Sequence, residues 1–264
     1  MPSKIASTPK QELIRKIKAV ISRGWIHTKR SKNDGAVGNT LEDLLEIPEN
    51  NLAIANTLDW ELKAQRIETT SLTTLFHVDP FPRKPTIIQY LLKNYGWRHQ
   101  EAGKGHPENE MSFRATLCGN YSDRGFRMVT DSVARRIELE FNSEKTDPRH
   151  ADWLKAVKKR VGLGPIPIAP FWDFDLLNKK CVGKIKNTIY VLANSRTVNG
   201  QEEFKYEKIY LLEDFCFNNF LRAIMSNDIL VDFDARTGHN HGTKFRFRNK
   251  QWGKLFSKVT LVES

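Results

Sequence analysis

Residues 59–66 read Asp-Trp-Glu-Leu-Lys-Ala-Gln-Arg, and this short stretch decides the fold that we predict. Polar and apolar side chains alternate along it, which is the period-two pattern of a β-strand with one buried face. Because side chains two positions apart point to the same side of a strand, Asp59, Glu61 and Lys63 share one face, and Leu62 points to the other. Two carboxylates and an ammonium group are therefore predicted to lie close together.

This crowding has a chemical interpretation. Repulsion between two neighbouring carboxylates is relieved by a divalent cation, and Mg²⁺ prefers oxygen ligands. The ammonium group of Lys63 is then suited to orient an attacking water and to offset charge on a phosphate. An E-x-K triplet also occurs on solvated helices and edge strands, where it has no catalytic role. The rest of the sequence has to decide between a catalytic site and a solvated surface triplet.

The sequence before this strand predicts a short helix over residues 41–47, with Thr40 as its N-cap and Glu42 in its first turn. Residues 28–39 are polar and contain glycine, so we predict a basic loop. Within it, Lys29 and Arg30 are candidates for binding phosphates. A second strand is predicted over residues 71–78, with His77 near its end.

Further along, strands of a meander are predicted at residues 113–117, 125–130 and 136–141, followed by a basic helix. The Gly/Pro-rich stretch at residues 162–170 indicates a boundary. We therefore predict a mixed α/β (α+β) fold, with a sheet flanked by helices. Residues 1–165 would form one lobe, and residues 166–264 a second.

The composition favours a polyanionic partner. The 264 residues include 42 Lys and Arg against 31 Asp and Glu, which gives a net charge of +11. No window approaches 18 consecutive apolar residues, so a membrane span is not expected. The sequence contains neither a Walker motif nor a G-x-S-x-G elbow, which argues against a nucleotide cofactor and against a serine nucleophile.

The C-terminal region combines basic side chains with an acidic one within fifteen residues. Arg reads guanine through two hydrogen bonds, and Asp accepts from the amino group of cytosine, so the mixture suits recognition of G·C pairs. A solvated hairpin with ordinary ion pairs would have the same composition. His239 and His241 form an H-x-H pair for which base or phosphate contact is a better interpretation than a metal site. The candidate DNA-binding residues here are Asp234, Arg236, His239, His241, Lys244, Arg246 and Arg248.

Four stretches together resemble the MvaI/BcnI-type restriction endonucleases, the MutH-like branch of the PD-(D/E)xK nucleases. They are GNTLEDLLEIPENN (38–51), WELKAQR (60–66), SLTTLFH (71–77) and VDFDARTGHNHGTKFRFR (231–248). The resemblance implies a type II restriction endonuclease with Mg²⁺, for which Mn²⁺ can substitute. It also implies a monomer in a prokaryotic cytoplasm that cuts double-stranded DNA at a short G·C-containing site, alongside a protective methyltransferase. We then expect residues 1–165 to be the catalytic lobe and residues 166–264 the DNA-recognition lobe, with the duplex clamped by the two.

The same resemblance implies the site residues. Its helix glutamate matches Glu42, its E-x-K matches Glu61 and Lys63, and His77 faces DNA. Its aspartate falls on Asn56, which departs from the family pattern at a metal ligand. An amide oxygen ligates more weakly than a carboxylate, so Asp59 is the candidate to supply the missing charge. An engineered, inactivating change at position 56 is the alternative.

Two other functions remain open at this point. A MutH-like strand-nicking repair endonuclease would have the same site but would need activating partners. A sequence-specific DNA-binding protein with a decayed nuclease site would bind without cleaving, and Asn56 would be the mark of that decay.

Overall fold

The computed structural model of the chain describes residues 9–30, 33, 35–46, 60–83 and 86–263. The helices are α1 (Pro9–Ile21), α2 (Ala36–Leu44), α3 (Ile87–Tyr95), α4 (Ala151–Val161), α5 (Phe174–Ile185) and α6 (Phe217–Met225). The first eight strands are β1 (Ile26–His27), β2 (Glu61–Arg66), β3 (Leu72–His77), β4 (Trp97–Arg98), β5 (Met111–Leu117), β6 (Arg124–Asp131), β7 (Arg136–Thr146) and β8 (Phe171–Asp173). The others are β9 (Thr188–Val198), β10 (Gln201–Phe215), β11 (Ile229–Arg236), β12 (His239–Asn240), β13 (Lys244–Arg248) and β14 (Phe256–Val262).

The predicted mixed α+β class is confirmed, since the described strands form three sheets accompanied by helices. None of the described helices is long and apolar enough to cross a membrane.

The chain divides into two compact units, and neither is a continuous segment. The first contains residues 1–72, 180–216 and 249–264, and the second contains residues 73–179 and 217–248. The boundary that we predicted at residue 165 falls inside the second unit instead. The Gly/Pro-rich stretch is only a connection there, because the division depends on which strands pair and not on where regular structure is interrupted.

The first unit is built on a sheet of order β1-β10-β9-β2, with β14 also paired to β10. Strand β2 runs parallel to β9, and Glu61 is the register partner of Thr188. Helices α1 and α2 bury their apolar residues in one core with this sheet. The core includes Leu13, Ile17, Val37, Leu41, Leu62, Ile189, Val191 and Phe204.

Helix α2 starts earlier than its sequence suggested, and Thr40 lies inside it, so the prediction of Thr40 as N-cap was wrong. Thr40 is buried, and its hydroxyl shares a hydrogen bond of 2.6 Å with the hydroxyl of Thr28. The hydroxyl of Tyr206, on β10, donates to the backbone carbonyl of Val37 at 2.7 Å. These contacts satisfy buried polar groups and hold the helix against the sheet.

The second unit contains a sheet of order β3-β13-β11-β5-β4, with β12 paired to β11, and a separate sheet of order β6-β7-β8. The predicted meander was therefore wrong for β5, which pairs with β11 and β4. Phe113, on the buried side of β5, packs edge-to-face on Phe233 and Phe126. An aromatic core of this kind links the two sheets although β5 and β6 are adjacent in sequence.

Candidate functional site

The centre of the first unit's polar site is a direct contact between Glu61 and Lys63. Both side chains project from β2 on the face opposite to Leu62, which packs in the core with α2. The Lys63 Nζ donates to Glu61 Oε1 at 2.6 Å. Glu61 is only 6% exposed, whereas a quarter of the Lys63 side chain, 25%, is exposed. A buried carboxylate is thus joined to an ammonium group that reaches solvent.

The second oxygen of this carboxylate is unsatisfied. Glu61 Oε2 is buried and has no hydrogen-bond partner among the described residues. The same holds for Oγ1 of Thr188, the residue beside Glu61 on the parallel strand β9. A buried carboxylate oxygen without a partner costs free energy, about 1–3 kcal/mol or more. The donor set therefore fits a cation, because a hard cation with oxygen ligands would remove that cost.

The other predicted metal ligands are placed as follows. Glu42 is half-buried on α2, a helix that contacts β2. Asn56 and Asp59 lie outside the described residues. Within the described ranges, no group of three or more His, Cys, Asp and Glu side chains is close enough to hold a metal ion. The structure thus brings Glu61 together with Lys63 and does not assemble the whole predicted ligand set.

Arg30, predicted to grip phosphate, forms an ion pair with Asp43 of α2. Its Nε donates to Asp43 Oδ2 at 2.8 Å and its Nη2 to Oδ1 at 2.5 Å. The hydrogen bond from Arg30 holds the pKa of the Asp43 carboxyl below its usual value. Lys29 is exposed beside this pair. The pairing ties the loop to the helix that carries Glu42.

Arg66 is a positioning residue of the first unit. It ends β2, and its guanidinium pairs with the Glu202 carboxylate at 2.8 Å. Its Nη2 also donates to the backbone carbonyl of Asn33 at 3.1 Å, and its guanidinium lies over the Phe204 ring. It therefore connects the strand of the polar site to the loop that precedes α2.

The second unit presents a polar sheet face that contains half of the predicted DNA-binding residues. Apolar residues alternate with polar ones along β5, β11 and β13, and the apolar set is buried. The polar set lies on the other side of the same strands. This set, which we call the charged sheet face, consists of Arg114, Thr116, Asp232, Asp234, Arg236, Lys244, Arg246 and Arg248.

Acidic and basic side chains on the charged sheet face form ion pairs across neighbouring strands. The Arg114 Nε lies 2.9 Å from Asp234 Oδ1 in an ion pair, and the Lys244 Nζ lies 3.6 Å from Asp234 Oδ2. Arg246 Nη1 donates to Asp232 Oδ2 at 3.0 Å. The pairing fixes the direction of each planar group, which base recognition requires.

Arg236 is held from outside the sheet by Glu110. Its Nη1 donates to Glu110 Oε1 at 3.0 Å, and Glu110 is only 4% exposed. Arg114, Asp232 and Glu110 were missed at the sequence level. Arg114 and Glu110 are separated from the C-terminal segment by about a hundred residues, so only the strand pairing reveals them.

The remaining candidates lie at the margins of this face. The rings of His239 and His241 pack edge-to-face, with 4.2 Å between their centroids. Arg248 donates through Nε to the backbone carbonyl of Asn227 at 2.9 Å. Burial of the ring, followed by the nearby Lys244 ammonium, lowers the pKa of His77. His77 is therefore close to the charged sheet face, although it comes from β3.

Comparisons with known proteins agree with this architecture. The sequence pattern of the MvaI/BcnI restriction endonuclease family matches residues 14–256. The solved complex of restriction endonuclease MvaI with its cognate DNA substrate is 24% identical and covers 97% of this chain and 99% of that one, with a TM-score of 0.74. MvaI in the absence of DNA is 21% identical, with coverage of 98% and 99% and a TM-score of 0.57. Curated proteins give no match. The resemblance stated from the sequence is confirmed.

Proposed function

The chain belongs to the MvaI/BcnI restriction endonuclease family, and from that premise we propose that it hydrolyses phosphodiester bonds of double-stranded DNA at a short G·C-containing site with Mg²⁺. The observation that carries this proposal is the buried, unsatisfied oxygen of Glu61 beside the partly exposed Lys63. MvaI, whose fold this chain shares, was solved with its cognate DNA substrate, which supports DNA as the partner.

The proposed chemistry assigns separate tasks to the two residues. Glu61 supplies a buried carboxylate to hold the cation, with Glu42, Asp59 and Asn56 as further proposed ligands. A bound Mg²⁺ supplies Lewis-acid stabilisation of phosphate charge and lowers the pKa of water; Mn²⁺ would supply the same chemistry. Lys63 donates one of its three N–H groups to Glu61. The other two are then available to orient the attacking water and to stabilise the phosphate in the transition state.

The charged sheet face is the proposed surface for reading bases. Arg236 and Arg246 are each held by a carboxylate through one nitrogen, which orients the planar guanidinium towards a base edge. Asp234 is suited to accept from cytosine once Arg114 or Lys244 releases one of its oxygens. His77, His239, His241 and Arg248 of the second unit, and Lys29 and Arg30 of the first, are also proposed to contact the duplex.

The proposed biological setting follows from the family. The enzyme would act as a monomer in a prokaryotic cytoplasm, where it cuts foreign DNA and a cognate methyltransferase protects the host site. The proposed division of labour assigns hydrolysis to the first unit and recognition to the second, because Glu61 and Lys63 belong to the first and the charged sheet face to the second.

Plasmid cleavage tests the proposal. We expect discrete linear fragments from the parent with Mg²⁺ and none with a chelator. The rate of cleavage should fall at least about a hundredfold in Lys63→Ala and in Glu61→Ala, since each change removes a group that acts on the reacting phosphate. Lys145→Ala, which removes an exposed lysine of the second unit, is the matched control and should cut like the parent.

The products also separate the alternatives. Cleavage that survives Lys63→Ala would contradict the assigned site, and cleavage that survives chelation would contradict the metal. Nicked circles from the parent alone would favour a strand-nicking enzyme of the MutH kind. Specific binding without any cut in Mg²⁺ or Mn²⁺ would favour a binding protein with a decayed site, for which Asn56→Asp is the restoring change.

A further inference from the structure

The buried hydroxyl of Thr188 is a second polar atom that the described residues leave unsatisfied. Thr188 is fully buried, with 0% exposure, and its Oγ1 has no hydrogen-bond partner among the described residues. A hydroxyl in this position costs free energy, roughly 1–3 kcal/mol. Valine has nearly the same shape and would not carry that cost. The hydroxyl therefore requires an explanation other than packing.

Strand pairing places this hydroxyl next to the polar site. Thr188 begins β9, and its register partner in the parallel pair with β2 is Glu61. Register partners on adjacent strands project to the same side of a sheet, about 5 Å apart. The next partners along are Lys63 and Tyr190. Thr188 and Glu61 thus lie side by side, and each has a buried oxygen without a partner.

The two unsatisfied atoms do not satisfy each other. A hydroxyl beside a carboxylate normally donates to it, yet no hydrogen bond joins Thr188 Oγ1 to Glu61 Oε2. Two adjacent oxygens of this kind, one charged and one neutral, match the ligand preference of a hydrated Mg²⁺, which keeps several of its waters in protein sites. The carboxylate would provide charge, and the hydroxyl a hydrogen bond to the hydration shell.

We propose that Thr188 is a positioning residue of the cation site of Glu61, where its hydroxyl hydrogen-bonds the hydrated cation. This inference rests on the proposed function and extends it to a residue of β9. It also accounts for a threonine at a position whose neighbours in the sheet, Ile189 and Leu212, are buried and apolar.

A Mn²⁺-binding experiment tests the proposal without measuring turnover. The whole protein is titrated with Mn²⁺ in the presence of non-cleaved duplex DNA, and the electron paramagnetic resonance signal of the free ion measures how much Mn²⁺ is bound. Thr188→Val removes only the hydroxyl and should weaken Mn²⁺ binding about tenfold, as loss of a supporting partner of a metal site does. Thr188→Ser keeps the hydroxyl and should stay within about threefold of the parent. Thr243→Val is the matched control, because Thr243 is also a buried threonine with an unsatisfied hydroxyl, in the second unit.

Cleavage provides a second readout. With Thr188→Val, the Mg²⁺ concentration for half-maximal plasmid cleavage should rise about tenfold, while the rate at saturating Mg²⁺ stays near that of the parent. If Thr188→Val binds Mn²⁺ as tightly as the parent does, the inference is wrong while the proposed function stands. If the parent neither binds Mn²⁺ nor cleaves, both are wrong. Equal weakening by Thr243→Val would also overturn the inference, since the effect would then be general.

Discussion

At the scale of single residues, Glu61 is the most informative position in the chain. A strand with two solvated faces would leave its carboxylate in water, but pairing with β9 buries it to 6% exposure. Only one of its oxygens is satisfied, by Lys63. The folded protein thus retains an electrostatic penalty at this residue, which is typical of positions kept for function.

Glu61→Gln should remove the stabilisation that a divalent cation confers. A ligand that binds only the folded state raises the free energy of unfolding, by about 2.7 kcal/mol at a hundred times its dissociation constant. We expect Mg²⁺ to raise the melting temperature of the parent and to leave that of Glu61→Gln unchanged. Scanning calorimetry with and without Mg²⁺ measures this. Glu144→Gln, at an exposed carboxylate, should still show the rise, and a rise in Glu61→Gln would contradict the assigned role.

At the scale of elements, the position of α2 depends on a few buried polar contacts. Thr40 has its hydroxyl bonded to that of Thr28, which also accepts from the backbone N–H of Arg30 at 3.0 Å. The loop before the helix is therefore joined to the helix itself. Since Glu42 lies two residues after Thr40, these contacts determine where its carboxylate is delivered.

Thr40→Val should lower the free energy of unfolding by about 1–2 kcal/mol, because it leaves the buried hydroxyl of Thr28 with one partner fewer at unchanged side-chain volume. Urea unfolding measures the change. Thr197→Val, the same substitution at an exposed position of β9, should stay within about 0.5 kcal/mol of the parent. Equal effects of the two changes would show that the hydroxyl pair contributes nothing.

Glu213 joins three elements of the first unit through its charge. It accepts from Lys10 of α1 at 3.0 Å and lies 3.2 Å from Lys258 of β14. The hydrogen bond from Lys10 lowers the pKa of the Glu213 carboxyl in the folded protein. Its stabilisation is thus present above the pKa of the unfolded chain, about 4.3, and disappears as the pH falls through the lower folded pKa.

Glu213→Gln should therefore be less stable than the parent near pH 7, and the difference should shrink below about pH 4. Urea midpoints measured across this range test the sign. A difference that persists unchanged at low pH would indicate that Glu213 acts through packing and not through its ionised form.

How far the sequence predicts these elements depends on the range of the interactions. The strand around Glu61 and the polar face of β11 and β13 could be predicted, because alternation within one strand is a local property. The partners of those strands could not. Arg114 reaches Asp234 only through the pairing of β5 with β11, and Thr188 reaches Glu61 only through the pairing of β9 with β2. The sequence predicted the wrong start for α2, because Thr40 is a residue type that caps helices. In the folded protein its hydroxyl is instead buried and bonded to the hydroxyl of Thr28, which lies twelve residues earlier in the chain.

At the scale of the whole molecule, strand β2 and most of the strands in its sheet come from distant parts of the chain. Strand β2 belongs to the first seventy residues, whereas β9, β10 and β14 follow residue 187. The first unit is therefore incomplete until the chain has passed through nearly all of the second.

A fragment of residues 1–165 should consequently fail to fold the part that contains Glu61 and Lys63. It contains β2, α1 and α2 but lacks β9 and β10, whose residues Ile189, Val191 and Phe204 complete the core. We expect no cooperative unfolding transition for that part by circular dichroism and no cleavage. A full chain with a nick in the exposed turn at Asn199 and Gly200 is the control and should keep its transition. A cooperative transition that involves the α1–α2 core in the 1–165 fragment would contradict the discontinuous unit.

The parallel pairing of β2 with β9 also has a consequence during synthesis. At about 5–20 residues per second, the ribosome needs on the order of 10 s to proceed from the one strand to the other. Over that interval Glu61 and Lys63 are already translated, but the neighbour that buries the carboxylate does not yet exist. A chain that ends before β9 therefore lacks the strand that buries Glu61. The strand order therefore delays completion of the site around Glu61 until most of the protein, including β5, has been made.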